Sequence, residues 1–175
     1  MQYLKEDLRN RIVEVALNEF YEKGYENSNI KIIASKADTS PGNIYRYYGS
    51  KQELLMDIYV PIEKKIAGRF FVEGAGDQVD LDTKTLVEMI VSLIEEHPKE
   101  FYLLASTTLA DSLKNRLVDQ VMVKLMEEED EEMAFIKASL IVEGMMIIVR
   151  RHVSSMKNTK KNIKRLIDML LERGN

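Results

Sequence analysis

The sequence predicts an all-α fold, with a small N-terminal three-helix domain followed by a larger helical domain. Apolar residues recur at helical spacing along nearly the whole chain, and the alternation typical of strands is almost absent. Residues 27–51 place two short apolar-patterned segments around a four-residue turn, which is the pattern of a helix-turn-helix. Glycine and proline interrupt the apolar pattern where helices are expected to begin or end.

The N-terminal domain is predicted from its helix-ending residues. A first helix over about 5–23 ends at Gly24, where a left-handed residue is least costly. Asn29 can cap the second helix, which turns Ile30, Ile33 and Ala34 inward. The turn 37–40 follows, and Ser40 can cap a third helix whose first residue is Pro41.

A capping box formed by Ser50 and Glu53 opens a fourth helix that should extend to about Phe71, with a kink at Pro61. Residues 73–77 are rich in glycine and predict a flexible connection. The expected organisation is a helix-turn-helix domain at 1–50, joined through helix 50–71 to a second domain at 51–175. The second domain should contain five further helices, near 81–96, 98–110, 112–127, 130–154 and 159–173.

The composition excludes several classes of protein. With 45% hydrophobic and 31% charged residues, the 175-residue chain is typical of a soluble globular protein. It has no cysteine, so disulfides, thiolate metal sites and a cysteine nucleophile are excluded. The N-terminus lacks the apolar stretch of a signal peptide, and the apolar stretch 133–149 is too short and too charged to span a membrane. We therefore expect a cytoplasmic protein that does not associate with membranes.

No pattern of catalytic residues is present. The two histidines, His97 and His152, fall on different predicted helices, and neither a phosphate-binding loop nor a nucleophile–histidine–acid order appears. We expect no enzyme activity, no cofactor and no metal. The acidic run 127–132 is interpreted as a solvated helix end, and a metal-binding or partner-binding patch is the alternative.

The net charge of −4 comes entirely from the second domain, because residues 1–55 hold eight basic and eight acidic side chains. A DNA-binding domain needs only a local positive face, since contacts with phosphates are short-range and screened by salt. Lys31, Lys36, Arg46 and Lys51 are candidates for that face.

The run from Ile33 to Leu54 resembles the DNA-binding domain of the tetracycline-repressor (TetR) family. The family's Ile-Ala pair is matched by Ile33-Ala34, and its turn and third helix by the run ADTSPGNIYRYYGSKQEL at 37–54. Three positions depart from the family pattern: Asp38 replaces a glycine, Thr39 a buried valine and Gln52 an acid. Asp38 should tolerate the left-handed backbone that the turn needs. The resemblance covers about residues 5–60.

The resemblance implies that the third helix enters the major groove of operator DNA. Arg46 and Asn43 would then read base edges, although a phosphate contact or an internal salt bridge is the alternative for Arg46. Tyr45 and Tyr47 would contact the sugar-phosphate backbone, with core packing as the alternative for Tyr45. Gly42 would avoid a clash with either the groove wall or the preceding helix. The full set of DNA-binding candidates is Ser28, Lys31, Thr39, Ser40, Pro41, Gly42, Asn43, Tyr45, Arg46, Tyr47 and Lys51.

The resemblance also implies a homodimer formed through the last two helices and a small-molecule effector, most often of a repressor. The candidates for the dimer interface are Leu140, Gly144, Ile147, Ile148, Ile163, Leu166, Ile167 and Leu170, with an intramolecular core as the alternative. Methionine, aromatic and hydroxyl side chains favour a pocket for an apolar or aromatic effector. The pocket candidates, which could equally be plain core, are Phe70, Phe101, Tyr102, Thr108, Phe135 and Met145. The alternative function is a helical interaction module that has lost specific DNA binding.

Overall fold

A computed structural model describes residues 2–70, 83–107, 111–127, 129–152 and 155–171. Within these ranges the chain forms helices and no strand, which confirms the predicted all-α class. The helices, in chain order, are α1 (Gln2–Lys23), α2 (Ile30–Lys36), α3 (Pro41–Tyr47), α4 (Lys51–Phe70), α5 (Thr83–Glu96), α6 (Pro98–Ser106), α7 (Asp111–Leu125), α8 (Glu131–His152) and α9 (Met156–Leu171).

The chain divides into two compact units, residues 1–64 and residues 65–175. The division falls inside α4, which is continuous from Lys51 to Phe70 and contains Pro61. The glycine-rich connection predicted at 73–77, and the predicted end of the fourth helix at Phe71, lie outside the described residues.

The N-terminal unit is built around one apolar residue set contributed by all four of its helices. The inward stripes predicted for α1 and α2 are confirmed, since Ile12, Ala16 and Phe20 of α1 and Ile33 and Ala34 of α2 are buried. Each helix therefore shows one apolar face to a shared core, as a short amphipathic helix must in order to be stable. The shorter α3 and the start of α4 complete the core with Ile44, Leu54, Leu55 and Ile58.

The predicted helix ends are confirmed. Gly24 has a φ of 76°, and Asp38 occupies the left-handed region at 53° in the turn between α2 and α3. The Asn29 side chain accepts a hydrogen bond from the Lys31 backbone N–H at 2.9 Å, and Ser40 Oγ accepts from the Asn43 N–H at 3.1 Å. These caps satisfy backbone donors that the first turn of a helix leaves unpaired.

In the C-terminal unit α8 is the central helix and packs against α6, α7 and α9. Its buried residues recur at helical spacing and include Ala138, Ile141, Met145 and Val149. Gly144 lies at the contact with α9, where a Cβ on this residue would come within 2.5 Å of Leu166 Cδ2. The absence of a side chain at position 144 therefore lets α8 and α9 approach closely.

The acidic run ends in a helix cap. Asp130 Oδ1 accepts a hydrogen bond from the Met133 N–H at 2.9 Å at the start of α8, and Glu129 forms an ion pair with Lys137. These contacts agree with the solvated-helix-end interpretation. The part of the chain that the structure describes holds no group of three or more side chains that could bind a metal ion.

Among the helix boundaries that differ from the sequence prediction, two show a local cause. The sixth helix was predicted to reach residue 110 but ends at Ser106, because Thr107 takes an extended backbone conformation. The last helix begins at Met156 instead of 159. Its first turn is closed by hydrogen bonds from the Asn158 and Thr159 N–H groups to the Ser155 carbonyl, and the Thr159 side chain is buried.

Candidate nucleic-acid interface

The helix α3 is anchored on one side and exposed on the other. Its Ile44 side chain is only 1% exposed and fixes the helix against the N-terminal core. One turn of helix places Gly42, Tyr45 and Arg46 on the opposite, solvent-exposed side. The helix is therefore held rigidly while a polar face, including one guanidinium group, remains open to a partner.

Three residues predicted to contact DNA have exposed side chains without a polar partner among the described residues. The side chains of Lys31, Tyr45 and Arg46 are exposed and form no hydrogen bond or ion pair with the residues that the structure describes. An internal salt bridge, one alternative for Arg46, is thus absent from this part of the chain. The buried alternative for Tyr45 is also wrong, because its side chain is 53% exposed.

Other residues of α3 and its turn hold the local structure together. The Asn43 side-chain amide donates a hydrogen bond to Thr39 Oγ1 at 2.9 Å, so Asn43 and Thr39 are paired across the turn. Ser40 caps the helix and Pro41 occupies its first position. Tyr47 is half-buried and its ring lies 6.4 Å from that of Tyr48, measured between centroids. Arg46 therefore has more freedom than Asn43 to reach a base edge.

Gly42 leaves space on the exposed face of α3. Beyond its immediate chain neighbours and its own helix backbone, the nearest atom to a Cβ placed there would be Ser40 Oγ, at 4.0 Å. A clash with the preceding helix, one of the two explanations considered for this glycine, is therefore not the reason for it. Close approach by an external surface remains the explanation that the geometry allows.

Two residues predicted to contact phosphate form hydrogen bonds inside the protein instead. Ser28 is only 8% exposed, and its Oγ donates a hydrogen bond to the Tyr25 carbonyl at 2.6 Å. Lys51 Nζ donates to the same carbonyl at 2.7 Å. The sequence placed both residues near the start of a helix but could not show that the turn between α1 and α2 would bind their polar atoms.

A polar network fixes the end of α3 to α1 and α4. Tyr48 caps α3 and is buried, and its hydroxyl donates to Asp57 Oδ2 at 2.7 Å. Arg9 forms an ion pair with the other oxygen of Asp57. Burial, reinforced by the hydrogen bond to Asp57, raises the pKa of Tyr48 above its ordinary value, so the phenol remains a donor.

A second polar contact that sequence reasoning missed joins α1 to α2. Glu19 is almost completely buried, and its Oε2 accepts a hydrogen bond from Lys36 Nζ at 2.8 Å. Lys36 was a candidate for the positive face, but its charge is partly neutralised by this pair. Of the four predicted cations, Lys31 and Arg46 remain available.

The predicted dimer residues divide into three groups by exposure. Ile163 and Ile167 of α9 are buried within the C-terminal unit, and Leu166 contacts Gly144, so the intramolecular alternative is correct for these residues. Leu140 and Ile147 of α8 are half-exposed, and with Met133 and Ile136 they form an apolar stripe. The 3.6-residue period places this α8 stripe (Met133, Ile136, Leu140, Ile147) opposite the buried face of the helix. Ile148 and Leu170 are of intermediate exposure.

Four of the predicted effector residues have side chains that the structure describes. Phe101 and Met145 are buried, Tyr102 is half-buried, and Phe135 is 52% exposed, so their grouping in one effector pocket stays a prediction. The side chain of Phe70, and Thr108, lie outside what the structure describes. A different groove of about 400 Å³ lies between α5 and α9, lined by Glu88, Val91, Ser92, Glu95, Lys160, Lys164, Ile167 and Asp168.

None of the described helices is long and apolar enough to cross a bilayer.

Comparison with known proteins gives a family match that lies within the N-terminal unit. Residues 12–58 match the family model described as bacterial regulatory proteins, tetR family. The HTH-type transcriptional regulator UidR of Escherichia coli K12 is 33% identical over 98 residues, which cover 55% of this chain and 47% of UidR. The chain therefore spans about half the length of this curated relative.

Solved structures match over nearly the whole chain. SmeT, the repressor of the Stenotrophomonas maltophilia multidrug efflux pump SmeDEF, has 17% sequence identity and a TM-score of 0.73, covering 94% of this chain and 90% of SmeT. A TetR-like transcriptional regulator from Rhodococcus sp. RHA1 has 19% identity and a TM-score of 0.70, covering 93% of both chains. The described residues thus have the fold of these solved structures, and residues 12–58 resemble the tetR family of bacterial regulatory proteins.

Proposed function

We propose that this protein is a sequence-specific DNA-binding transcriptional regulator whose α3 enters the major groove. The observation that carries the proposal is the outward face of α3, where Gly42, Tyr45 and Arg46 are exposed on a helix anchored by buried Ile44. A helix presented in this way can lay its outer face against base edges, and Gly42 allows close approach. The relatives that share this unit are named as transcriptional regulators.

In this proposal Arg46 is the main reader of sequence. A guanidinium can donate two hydrogen bonds to guanine O6 and N7, which discriminates between bases by about 1–3 kcal/mol. Lys31, which is exposed on α2, and Tyr45 would contact the phosphate backbone. Asn43 contributes less directly, because its amide group is already bound to Thr39.

We further propose that the regulator acts as a homodimer, paired through the α8 stripe. Four large apolar side chains on one exposed side of a helix are unusual for a monomer and mark an interaction surface. Two identical reading heads can then engage two half-sites of operator DNA in the cytoplasm. This revises the predicted interface, because the buried residues of α9 pack inside the C-terminal unit and the proposed interface uses the exposed α8 stripe.

We propose that the groove between α5 and α9 receives a small effector that releases the protein from its operator, so that the protein is a repressor. The apolar side chains Val91 and Ile167 line the groove together with two lysines and three carboxylates, and Lys160 forms an ion pair with one of these, Glu95, at 3.4 Å. The groove's volume of about 400 Å³ lies within the usual range for small-molecule sites. Such a lining suits an effector with both apolar and charged groups better than the purely apolar one predicted from sequence.

The DNA-binding proposal is tested by selecting bound duplexes from a random pool and measuring their affinity at several salt concentrations. Specific binding should weaken linearly with the logarithm of salt concentration, because phosphate contacts release counterions. Arg46→Ala should reduce the preference for the selected duplex over a scrambled one by about 1–3 kcal/mol per half-site. Arg165→Ala, which removes an exposed guanidinium from α9, is the matched control and should leave the preference unchanged.

Failure to enrich any sequence, or binding that ignores salt, would instead favour a helical interaction module that has lost specific DNA binding. If the Arg46→Ala variant has the same base preference as the wild type, Arg46 does not recognise bases.

The effector groove is tested with the ligands that raise the unfolding temperature in a screen of metabolites and drugs. Ser92→Trp fills the groove between α5 and α9 and should abolish both the stabilisation and the release of DNA by such a ligand. Phe135→Trp, a substitution at an exposed position outside the groove, is the control. Equal ligand responses in wild type and Ser92→Trp would show that the effector binds elsewhere.

A further inference from the structure

We propose that Lys51 is a positioning residue, which binds the turn between α1 and α2 and so fixes the helix-turn-helix, and that it is not a phosphate ligand. This inference rests on the proposed DNA-binding function, and it departs from the phosphate contact that the sequence predicts for Lys51. The evidence is the geometry of its ammonium group, which lies over the turn between α1 and α2.

The Lys51 ammonium is surrounded by backbone carbonyls. Nζ lies 2.7 Å from the Tyr25 oxygen and 3.4 Å from the oxygens of Glu26 and Ser28. An ammonium has three N–H donors and no acceptor, so three carbonyls match its full hydrogen-bonding capacity. A phosphate could be reached only after at least one of these bonds is broken.

The aromatic ring of Tyr25 adds a further interaction. Nζ lies 4.5 Å from the centroid of this ring, within the range of a cation–π contact. The ring in turn packs edge-on against buried Phe20, with 5.4 Å between centroids. The ammonium is therefore bound to a turn that is itself fixed to the core of the N-terminal unit.

The Tyr25 carbonyl oxygen is the centre of this arrangement. It accepts hydrogen bonds from Lys51 Nζ, from Ser28 Oγ at 2.6 Å and, at 3.3 Å, from the Ser28 N–H. Ser28 directly precedes Asn29, the residue that caps α2. The position at which α2 begins is thus tied to Lys51, the first residue of α4.

The contact joins the two ends of the DNA-reading segment. Tyr25 lies just before α2, and Lys51 lies just after α3, so the bond between them brackets both helices and the turn between them. Such a bond restricts the angle at which the segment leaves α1 and enters α4. Lys51 would therefore orient Lys31 and Arg46 without touching DNA itself.

The two roles for Lys51 predict different effects of substitution on DNA binding. A phosphate ligand contributes about 0.9 to the slope of log affinity against log salt, whereas an internal bond contributes nothing to that slope. An arginine can replace a lysine at a phosphate, since its guanidinium binds phosphate well. A planar guanidinium cannot direct three donors at three carbonyls that surround a single ammonium position.

The experiment compares Lys51→Met, Lys51→Arg and Lys31→Met in the full-length protein, using the duplex selected by the wild type. Lys51→Met should weaken binding about tenfold, the equivalent of one charge-assisted hydrogen bond, with the salt slope unchanged. Lys51→Arg should not restore affinity. Lys31→Met, which removes an exposed ammonium on α2, should lower the slope by about one per contact.

Two measurements without DNA complete the test. Both Lys51 variants should unfold at lower temperature than the wild type, and amide hydrogen exchange should accelerate at residues 28–33, where α2 begins. If Lys51→Met does not fold, Lys51→Arg supplies the same comparisons, because it retains the charge and the length of the side chain.

The proposal is overturned if Lys51→Met lowers the salt slope as Lys31→Met does while Lys51→Arg binds like the wild type. It is also overturned if neither exchange nor unfolding temperature changes in either variant. If the wild type selects no DNA sequence, the proposed function is wrong. The amide hydrogen-exchange rates and the unfolding temperatures of the variants would still show whether Lys51 holds the turn.

Discussion

Single residues in the N-terminal unit act mainly by fixing the backbone around α3. Asp38 takes the left-handed conformation of the turn, and Ser40 caps the helix that follows. At the other end of α3, the hydroxyl of Tyr48 binds Asp57, whose second oxygen is paired with Arg9. Specific polar contacts thus hold α3 at both ends. These contacts also set the positions of its exposed residues.

The contact between Tyr48 and Asp57 should make stability depend on pH in the alkaline range. The Tyr48→Phe variant should be less stable than the wild type by about 1–2 kcal/mol at pH 7, because a hydrogen bond to a charged group is lost. Burial raises the pKa of Tyr48, so the contribution of the phenol is fully present below the pKa of an unfolded tyrosine, about 10, and is lost as the pH rises beyond it.

This expectation is checked by urea unfolding of both proteins from pH 7 to pH 11. The difference in free energy of unfolding should shrink above about pH 10, the ordinary tyrosine pKa. Tyr45→Phe, at an exposed position whose hydroxyl has no partner among the described residues, should show almost no difference at any pH. A difference for Tyr48→Phe that is constant across this range would contradict the argument.

At the scale of helices, the C-terminal unit depends on how closely α8 and α9 approach. A Cβ at Gly144 would lie 2.5 Å from Leu166 Cδ2 and 3.2 Å from Cδ1, so any larger residue must displace the Leu166 side chain. Leu166 is of intermediate exposure and can move at limited cost. Glycine inside a helix is otherwise unfavourable by about 1 kcal/mol relative to alanine.

These opposing effects predict a coupling between the two residues. Gly144→Ala alone should change the free energy of unfolding little, because the helix-propensity gain of about 1 kcal/mol offsets the displacement of Leu166. In a Leu166→Ala background the same substitution should stabilise the protein by about 1 kcal/mol, because the clash is gone. Denaturant unfolding of the four proteins of this cycle measures the coupling, and equal effects in both backgrounds would contradict the predicted contact.

At the scale of the whole molecule, the proposed function requires two copies of the chain. One α3 reads only one half-site, whereas the α8 stripe gives each copy an apolar surface that can pair with an identical one. Core packing uses the opposite face of α8, so a substitution in the stripe can separate the copies without unfolding the unit.

Ile147→Glu should therefore produce a folded monomer. A glutamate in the middle of the paired stripes would bury an unpartnered charge, which costs several kcal/mol. Sedimentation velocity should show half the mass of the wild type, and affinity for the full operator should fall because two heads no longer bind together.

Phe135→Glu is the matched control for this substitution. Its side chain is 52% exposed, against 51% for Ile147, but it lies on a different side of α8. This variant should remain dimeric. If Ile147→Glu dimerises with unchanged affinity, or if Phe135→Glu is the variant that separates, the α8 stripe is not the interface.

Sequence reasoning succeeded where the controlling forces are local. The helix ends were predicted correctly at Asn29, Ser40 and Gly24, because capping and a positive φ depend only on neighbouring residues. The exposure of Arg46 followed from helical period, since buried Ile44 fixes which side of α3 faces outward. The family pattern added the expected partner, DNA, and it falls largely within residues 12–58, which match the family model.

The chain alone therefore determined an all-helical protein, the location of its helix-turn-helix and the ends of the short helices. The tertiary structure alone decided that Lys51 and Ser28 bind the Tyr25 carbonyl, that Arg9 meets Asp57, and that the exposed stripe of α8 is distinct from the buried face of α9. The reason is physical: periodicity and capping act within a few residues, whereas these contacts join residues up to 48 positions apart and exist only after packing brings their helices together.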